Sequence, residues 1–258
     1  MQSLLEIQRW MKKNKKDLFF INRTDEFLNE YIAPYSERLN WVSGFSGSAG
    51  KAIIEQNQAY IFVDGRYTNQ AHKQLDKNYF EIKHIQNFWK HLQVYKKSQY
   101  ILSVDPTLHS IAEVEKIYSF FKNSKIKIDL LKNNPIDLLW SSQLDPPQSK
   151  AFIHDDFFAG ESALGKINKI QKILEKNFVD YFVLNSLDSI AWLLNIRGND
   201  IDYTPLLFCY LIVPKDGKVE LFIDSNKIYP IKTEIQKIAN IKSFENISNY
   251  IRNLNSNS

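Results

Sequence analysis

The chain has 258 residues, of which 44% are hydrophobic and 24% charged, and its formal net charge is +4. This composition is typical of a folded protein of one large or two modest domains, and the near-balanced charge excludes any need for a nucleic-acid partner. A single cysteine, Cys209, excludes a framework of intrachain disulfides and a cysteine-rich zinc site.

The N-terminus predicts an amphipathic helix, because Leu4, Ile7 and Met11 fall on one helical face. Four lysines follow these apolar residues, which reverses the order found in a signal peptide. No stretch of the sequence reaches the ~20 apolar residues of a membrane span. We therefore expect a cytoplasmic protein with no membrane partner; a helix lying on a membrane surface is the alternative.

Residues 1–131 predict a first α/β domain. Its short apolar runs predict strands at Leu18–Asn22, 52–54, 60–63, 80–82, 100–104 and 126–130. Helical spacing of apolar residues separates several of them, at 67–75, 88–95 and 111–121. This alternation predicts a mixed β-sheet that contains parallel strands and is flanked by helices.

Residues 132–157 break this rhythm, and the prolines at 135, 146 and 147 exclude a long helix there. We interpret them as an inter-domain linker in which Trp140 docks onto one domain. Residues 158–258 predict a second α/β domain, whose closing polar run 253–258 is expected to fray. Its predicted elements are helices at 164–174, 190–194 and 231–241 and strands at Tyr181–Leu184, 206–213 and Val219–Ile223.

The two predicted domains resemble each other. The run FFIN at 19–22, followed by Asp25, matches FVLN at 182–185, followed by Asp188. A tryptophan, a hairpin and an apolar run that ends in Asp64 or Asp224 follow in each case. An internal duplication is the simplest explanation, although α/β elements also resemble one another without one.

A glycine-rich run, WVSGFSGSAG at 41–50, is the densest motif of the chain. Its glycines follow the spacing G-x-x-G-x-x-G, which fits neither the dinucleotide fingerprint nor a P-loop nor a nucleophile elbow. Two interpretations remain open: a tight turn at a strand entry, or a loop whose bare backbone and small hydroxyls face a ligand. The second makes Gly44, Phe45, Ser46, Gly47 and Ser48 candidate site residues.

Two further groups of charged residues are candidates for a site. Asp64 can cap the helix that follows it, while Arg66, beside Tyr67, can anchor a carboxylate. Arg197 and Asp200 bracket a glycine, and either form a local ion pair or lie at the rim of a cleft. None of the five histidines has the spacing of a zinc site or a catalytic triad, so the sequence predicts no catalytic and no metal-binding residue.

These motifs together resemble the cytosolic type of Xaa-Pro aminopeptidase (aminopeptidase P), a hydrolase of the creatinase/prolidase superfamily and peptidase family M24. In the first domain the resemblance lies in EYIA at 30–33, RLNW at 38–41, GFSGSAG at 44–50, DGRY at 64–67 and QA at 70–71. In the second it lies in LDSIAWLLNIRGNDI at 187–201, YTPL at 203–206 and LFID at 221–224.

The resemblance implies two related creatinase-N-terminal-like domains, the second incomplete at its C-terminus. In the family a third domain holds two divalent metal ions, commonly manganese, and performs the hydrolysis. We therefore expect no cofactor in this chain and no activity from it alone. The resemblance implies that this chain covers the active-site cleft and helps to select peptides with proline at the second position.

The expected partners are the peptide substrate, the catalytic domain and a second copy of the chain in a homodimer. A free-standing, catalytically inactive module that binds peptides or proteins is the alternative function. We also expect an exposed apolar patch where the third domain would pack.

Overall fold

The protein folds into two compact units that divide between Asp145 and Pro146. The structure is a computed structural model and describes residues 2–254. Residues 255–258 of the run expected to fray lie outside the described residues, while Asn253 and Leu254 belong to a helix.

The first unit is a six-stranded mixed sheet with helices on both faces. Its strands are β1 Leu18–Asn22, β2 Lys51–Glu55, β3 Ala59–Val63, β4 Phe80–His84, β5 Ile101–Val104 and β6 Lys127–Leu130. Its helices are α1 Gln2–Lys13, α2 Arg38–Ser43, α3 Thr68–Gln74, α4 Phe88–Leu92, α5 Ile111–Phe121 and α6 Pro135–Leu139.

The strand order is β4-β3-β2-β1-β5-β6. The antiparallel pairs are β1 with β2 and β2 with β3, whereas β4, β5 and β6 join their neighbours in parallel. The strands predicted from apolar runs are therefore confirmed, as is the mixed sheet.

Strand β1 is central and is buried on both faces. Phe19 and Ile21 pack with the apolar face of α1, including Leu4, Ile7 and Met11. Leu18 and Phe20 point to the opposite face and pack in a second core. This alternation follows from the pleat of a strand, whose successive side chains lie on opposite faces.

The second unit is built on a four-stranded sheet in the order β12-β11-β10-β8, with a separate pair of short strands, β7 and β9. Its strands are β7 Phe152–Ile153, β8 Tyr181–Leu184, β9 Ile196–Arg197, β10 Cys209–Pro214, β11 Val219–Ile223 and β12 Ala239–Lys242. Its helices are α7 Asp156–Ala159, α8 Ala163–Lys176, α9 Leu187–Leu194, α10 Ser225–Ile228, α11 Lys232–Ile235 and α12 Ile247–Leu254.

The two sheets share one plan over four strands. In each, the first strand joins an antiparallel hairpin, and the last strand of that hairpin joins a parallel strand. Asp64 and Asp224 end the equivalent strands β3 and β11, and each accepts a hydrogen bond from the backbone N–H two residues later. This repetition supports the internal duplication.

The predicted helix at 231–241 is wrong. Helix α11 ends at Ile235, and residues 239–242 form strand β12, which pairs in parallel with β11. The apolar residues here have helical spacing, but pairing with β11 decides the structure. As a strand, this segment extends the sheet and buries Ala239 and Ile241 in the core. Helix α12 follows, and the sequence interpretation did not include it.

The segment interpreted as a linker contains ordered elements. Helix α6 packs on the first unit, where Ile136 is buried, and the Trp140 ring stacks on Trp41 with 5.8 Å between centroids. The docking of Trp140 onto one domain is thereby confirmed. Strand β7 pairs with β9 in the second unit.

A charged group lies beside the second core of the first unit. Glu113 on α5 accepts hydrogen bonds from Lys51 on β2 and from His109 Nδ1, the latter at 2.9 Å. Burial opposes ionisation of the Glu113 carboxyl, but these hydrogen bonds outweigh it and lower its pKa to about 2. The ion pair joins strand to helix across partly buried surface.

We expect Glu113→Gln to destabilise the protein at pH 7, by up to about 3 kcal/mol, because a pKa shift of one unit corresponds to ~1.4 kcal/mol. A depressed pKa stabilises the fold above the unfolded-state value of 4.5, and this stability is lost as the pH falls toward 2. The difference in the free energy of unfolding between wild type and variant, measured in urea, should therefore be about 1 kcal/mol smaller at pH 3.5 than at pH 7.

The matched control is Glu115→Gln, which changes an exposed carboxylate on the same helix. Its free energy of unfolding should stay within about 0.5 kcal/mol of wild type at both pH values. A gap for Glu113→Gln that is the same at pH 7 and pH 3.5 would contradict this electrostatic origin.

Candidate functional site

The glycine-rich loop begins at the C-terminus of α2. Gly44 ends that helix with φ of +79°, a left-handed conformation that glycine adopts without strain, and its N–H donates to the Asn40 carbonyl. The turn directs the Phe45 side chain into the core, where it is fully buried. The loop is thus anchored at its first apolar residue.

Gly47 allows the loop to pass close to two aromatic rings. A Cβ at Gly47 would lie 2.3 Å from Phe45 Cζ and 2.8 Å from Tyr67 Cδ1. The Phe45 and Tyr67 rings meet edge to face, with 5.9 Å between centroids. This glycine is required by close packing, since its φ is not positive.

Hydrogen bonds fix the outer part of the loop against α3. Ser46 Oγ accepts from Gln70 Nε2 at 3.0 Å and from Gln74 Nε2 at 2.8 Å, and Ser46 N–H donates to Gln74 Oε1. Ser48 Oγ and Tyr67 OH lie 2.6 Å apart. Ser46 remains exposed to solvent.

Arg66 projects from the turn after β3, beside the loop. Asp64 accepts a hydrogen bond from the Arg66 N–H at 2.8 Å, which confirms the capping role, and it pairs with the Arg66 guanidinium through both carboxylate oxygens. The hydrogen bond from Arg66 lowers the pKa of Asp64. The Arg66 side chain is 69% exposed, so a carboxylate from solvent can reach it.

Arg23 hydrogen-bonds to the backbone of the glycine-rich loop, and the sequence interpretation did not single it out. Arg23 Nη1 donates to the carbonyls of Glu30 and Ser48, and its Nη2 pairs with Glu37 at 2.7 Å. Burial raises the pKa of Glu37 despite this pairing. The planar guanidinium of arginine can donate to several such acceptors at once. Because arginine is rare in this chain, that rarity was the signal by which Arg23 could have been found.

In the second unit, Asp200 is the centre of a buried network. Its Oδ2 accepts from Lys227 Nζ at 2.6 Å and from the Phe208 N–H at 2.7 Å, while Oδ1 accepts from Ser149 Oγ at 2.7 Å. Both side chains of the Lys227–Asp200 pair are almost fully buried. The network fixes the loop that follows β9 to the rest of the unit.

Arg197 has other partners. Its Nη1 donates to the Ala191 carbonyl at 2.6 Å and to the Ile196 carbonyl at 2.9 Å, so it fixes the end of α9 to β9. Within residues 2–254 it forms no ion pair with Asp200, whose charged partner is Lys227. Lys227 is 27 residues away in sequence, and local spacing gives no signal for such a pair.

The structure therefore brings the first-unit candidates together. Gly44, Ser46, Ser48, Arg66 and Tyr67 form one continuous surface over the buried Phe45 and Gly47; it is here called the loop surface, and Gln70 and Gln74 belong to it. Gln74 was missed, although its spacing of four residues from Gln70 places both on one helical face. Arg197 and Asp200 lie in the second unit and are bonded to separate groups.

No metal site and no reactive thiol stand out in the part of the chain that the structure describes. Within it no three His, Cys, Asp or Glu side chains are placed to hold a metal ion together. Cys209 is buried, as expected, and burial raises the pKa of its thiol to about 12. Among the same residues, the helices are too short or too polar to cross a membrane.

Two family models match the chain, both described as the creatinase/prolidase N-terminal domain. One matches residues 4–128 and the other residues 142–258, so each structural unit carries one match. The fold and its loops thus define a pair of creatinase-type α/β domains in tandem. The chain belongs to the creatinase/prolidase N-terminal domain family.

Longer proteins contain this pair. A probable Xaa-Pro aminopeptidase P of Neosartorya fischeri is 37% identical over 234 residues, 89% of this chain and 36% of the relative. One of Aspergillus niger is 34% identical over 252 residues, 95% of this chain and 41% of the relative. The chain therefore spans well under half the length of these curated relatives.

A solved structure has the same fold. The X-prolyl aminopeptidase of Caenorhabditis elegans, described as a cytosolic enzyme with a di-nuclear active site, matches 99% of this chain and 44% of its own length. The TM-score is 0.89 at 24% sequence identity, which shows similarity of fold.

We expect Gly47→Ala to destabilise the protein by about 1–3 kcal/mol, because the added methyl group overpacks the Phe45 and Tyr67 rings. Gly65→Ala is the matched control, since a Cβ at Gly65 has no neighbour within 4 Å. Thermal unfolding of both variants measures the difference. Equal stability of the two would contradict the close packing of this loop.

We expect Asp200→Asn to cost about 3–5 kcal/mol, because it leaves Lys227 buried without a counter-charge. The double variant Asp200→Asn, Lys227→Met should lose at least ~1 kcal/mol less than the sum of the two single variants. Asp202→Asn, at an exposed position in the same loop, is the control. Additive losses in urea unfolding would show that the pair does not interact.

Proposed function

We propose that this chain is the non-catalytic N-terminal portion of an Xaa-Pro aminopeptidase, a metallopeptidase that releases the N-terminal residue of peptides whose second residue is proline. The hydrolysis belongs to a catalytic domain outside these residues, which holds two divalent metal ions, commonly manganese in this family. The two units of this chain cover the active-site cleft, help select the substrate and contribute to dimer formation in the cytoplasm.

The observation that carries this proposal is the run of relatives named probable Xaa-Pro aminopeptidase P. They align with nearly the whole of this chain at 34–37% identity and continue far beyond it. Proline resists general peptidases because its amide lacks an N–H and its φ is fixed.

The loop surface is the proposed wall of the cleft in the first unit. Its glycines and serines leave backbone and small hydroxyls within reach of an extended peptide. Arg66 is proposed to bind the carboxylate of a short peptide in bidentate fashion, exchanging Asp64 for the substrate. Exchange is feasible because the pair lies in solvent, where an ion pair contributes little stability.

In the second unit Arg197 is the proposed rim residue, and Asp200 supports it. Arg197 is half-buried and fixed by two backbone carbonyls, which orients its guanidinium. Asp200 fixes the loop after β9 through Ser149 and Lys227. A charge held in one orientation selects between peptide ends more sharply than a mobile one.

The alternative is a free-standing, inactive module that binds peptides or proteins. The same loop surface serves that function, because binding needs the exposed serine and arginine but no metal. The two functions differ in whether the chain supports hydrolysis when a catalytic part is present.

The test is a chimera in which this chain replaces the matched part of the Neosartorya fischeri relative. With Mn²⁺, we expect the chimera to release alanine from Ala-Pro-Ala but not from Ala-Ala-Ala, and we expect this chain alone to release none. Arg66→Gln in the chimera should raise KM about tenfold, equivalent to ~1.4 kcal/mol of lost binding, with kcat unchanged.

Lys73→Gln, which removes an exposed charge from α3, is the control and should leave KM unchanged. Release of alanine by this chain alone would contradict the absence of catalytic residues. An inactive chimera, together with saturable binding of Ala-Pro-Ala to the chain in equilibrium dialysis, would favour the binding module.

A further inference from the structure

Six exposed lysines lie at one end of the first sheet. Strands β1, β5 and β6 run parallel, so their amino ends share that end, where Ile101 pairs with Lys127 and donates its N–H to Asp17 at 2.8 Å. The chain reaches each of these strands through lysines. We name the exposed ones the lysine face: Lys13, Lys15, Lys97, Lys122, Lys125 and Lys127.

Backbone hydrogen bonds bring the segments that carry these lysines together. The Lys125 N–H donates to the Lys96 carbonyl at 3.1 Å, and the Lys127 N–H donates to the Tyr100 carbonyl at 2.8 Å. Helix α1 covers one face of the sheet and α5 covers the other, and both end at this end of the sheet. The lysine face therefore extends across both helical layers and the sheet between them.

The charges of the lysine face are not neutralised by neighbouring carboxylates. At this end of the sheet Asp129 pairs with Lys16 at 2.7 Å, and Asp17 accepts from the Ile101 N–H. Among residues 2–254, the lysines in ion pairs are those at positions 16, 51, 83, 169, 215, 227 and 242. All six charges of the lysine face are thus available to an external partner.

Lys15 occupies a position where stability alone favours glycine. Its φ is +55°, the left-handed conformation that ends α1, and the Lys16 N–H donates across it to the Met11 carbonyl at 2.9 Å. Glycine adopts this conformation without strain, whereas a residue with a Cβ does not. The exposed Lys15 side chain contributes only its charge in return.

The composition of the lysine face narrows the kind of partner. A lysine ammonium is a hydrated point charge on a flexible stem, whereas arginine presents a planar fork suited to phosphates and bases in fixed positions. Val94, in the turn that contains Lys97, and Tyr100, just before β5, are 65% and 39% exposed. Mobile anionic headgroups above an apolar layer fit both the lysines and these apolar side chains.

We propose that the lysine face binds an anionic phospholipid bilayer, with its lysines on the headgroups and with Val94 and Tyr100 at the boundary of the apolar layer. Such peripheral binding needs no membrane-spanning helix, and it departs from the sequence-based expectation of no membrane partner. The loop surface lies at the other end of the sheet, before β2 and after β3, so the bound unit keeps it accessible. The proposal does not depend on the proposed function.

The test is co-sedimentation of the full chain with vesicles of phosphatidylcholine that contain about 30% phosphatidylserine. At about 0.1 M salt we expect binding at least tenfold stronger than to vesicles of phosphatidylcholine alone. At about 0.5 M salt the binding should be lost, because salt screens exposed charges. Equal binding to both kinds of vesicle overturns the proposal, and so does binding to neither.

Charge-removing variants locate the binding surface. The triple variant Lys97→Gln, Lys125→Gln, Lys127→Gln should weaken binding to the anionic vesicles at least twentyfold, because each lysine near such a surface contributes about fivefold. The matched control lowers the net charge equally, by the same substitution at three exposed positions of the second unit: Lys172, Lys176 and Lys237. It should change binding less than threefold. Equal weakening by the two triple variants overturns the proposal.

A single variant separates charge from folding. Lys15→Gly should weaken vesicle binding about fivefold, while relief of the left-handed strain raises the midpoint of thermal unfolding by about 2 °C. Misfolding cannot produce weaker binding together with higher stability. Vesicle binding that Lys15→Gly leaves unchanged overturns the proposal.

Competition distinguishes a bilayer from a soluble polyanion. Polyuridylate RNA and polyglutamate are added to the vesicle-bound chain at the charge concentration of the phosphatidylserine. We expect the chain to stay bound; its displacement by either polymer overturns the proposal in favour of a nucleic acid or an acidic polypeptide. These outcomes are separate from the hydrolysis test, which contains no vesicles.

Discussion

A strand that is apolar on both sides is most stable when its two faces are covered and its two edges are hydrogen-bonded, and the first unit of this protein is arranged around such a strand. In the first unit β1 meets the requirement fully: α1 and its neighbours cover one face, the α4 and α5 side chains cover the other, and β2 and β5 pair with its edges. Each backbone group left unsatisfied in such a position would cost about 1–3 kcal/mol. The position of every other element of the sheet follows from β1.

The loops that carry the candidate site are a consequence of the same plan. Strand β3 ends at Asp64, whose cap turns the chain into α3, and the glycine-rich loop enters β2 beside it. Two neighbouring strands of one hairpin therefore bring Ser46, Ser48 and Arg66 to the same end of the sheet. In the second unit the equivalent cap is Asp224, and the buried Asp200–Lys227 pair fixes the nearby loop. The aspartate cap, repeated in both units, fixes where the neighbouring loop lies. The other residues of these loops differ between the units and give each unit its own chemistry.

Local patterns in the sequence were sufficient for most of the fold. Alternating apolar runs located β1, the β2–β3 hairpin and β11, and helical spacing located α1, α5 and α8, because these elements agree with their own local propensity. The strand β12 was missed, since its assignment depends on pairing with β11 rather than on its own residues. The residues of the loop surface could be predicted because most of them belong to two distinctive motifs, the glycine-rich run and DGRY. The partners of Asp200 and the role of Arg23 could not, because Lys227 and Arg23 stand in no motif and only the folded chain brings them to their partners.

The first strands of the two sheets differ in their edges: β1 is paired on both sides, whereas among residues 2–254 β8 is paired with β10 alone. Hydrogen exchange of the backbone amides in the isolated chain measures this difference directly, with each strand compared to its neighbour in the same unit. We expect β1 to be as well protected as β2, and the β8 amides that point away from β10 to exchange at least ~100-fold faster than those of β10. Protection of all β8 amides equal to that of β10 would contradict the account, because the edge would then already be covered in the chain alone.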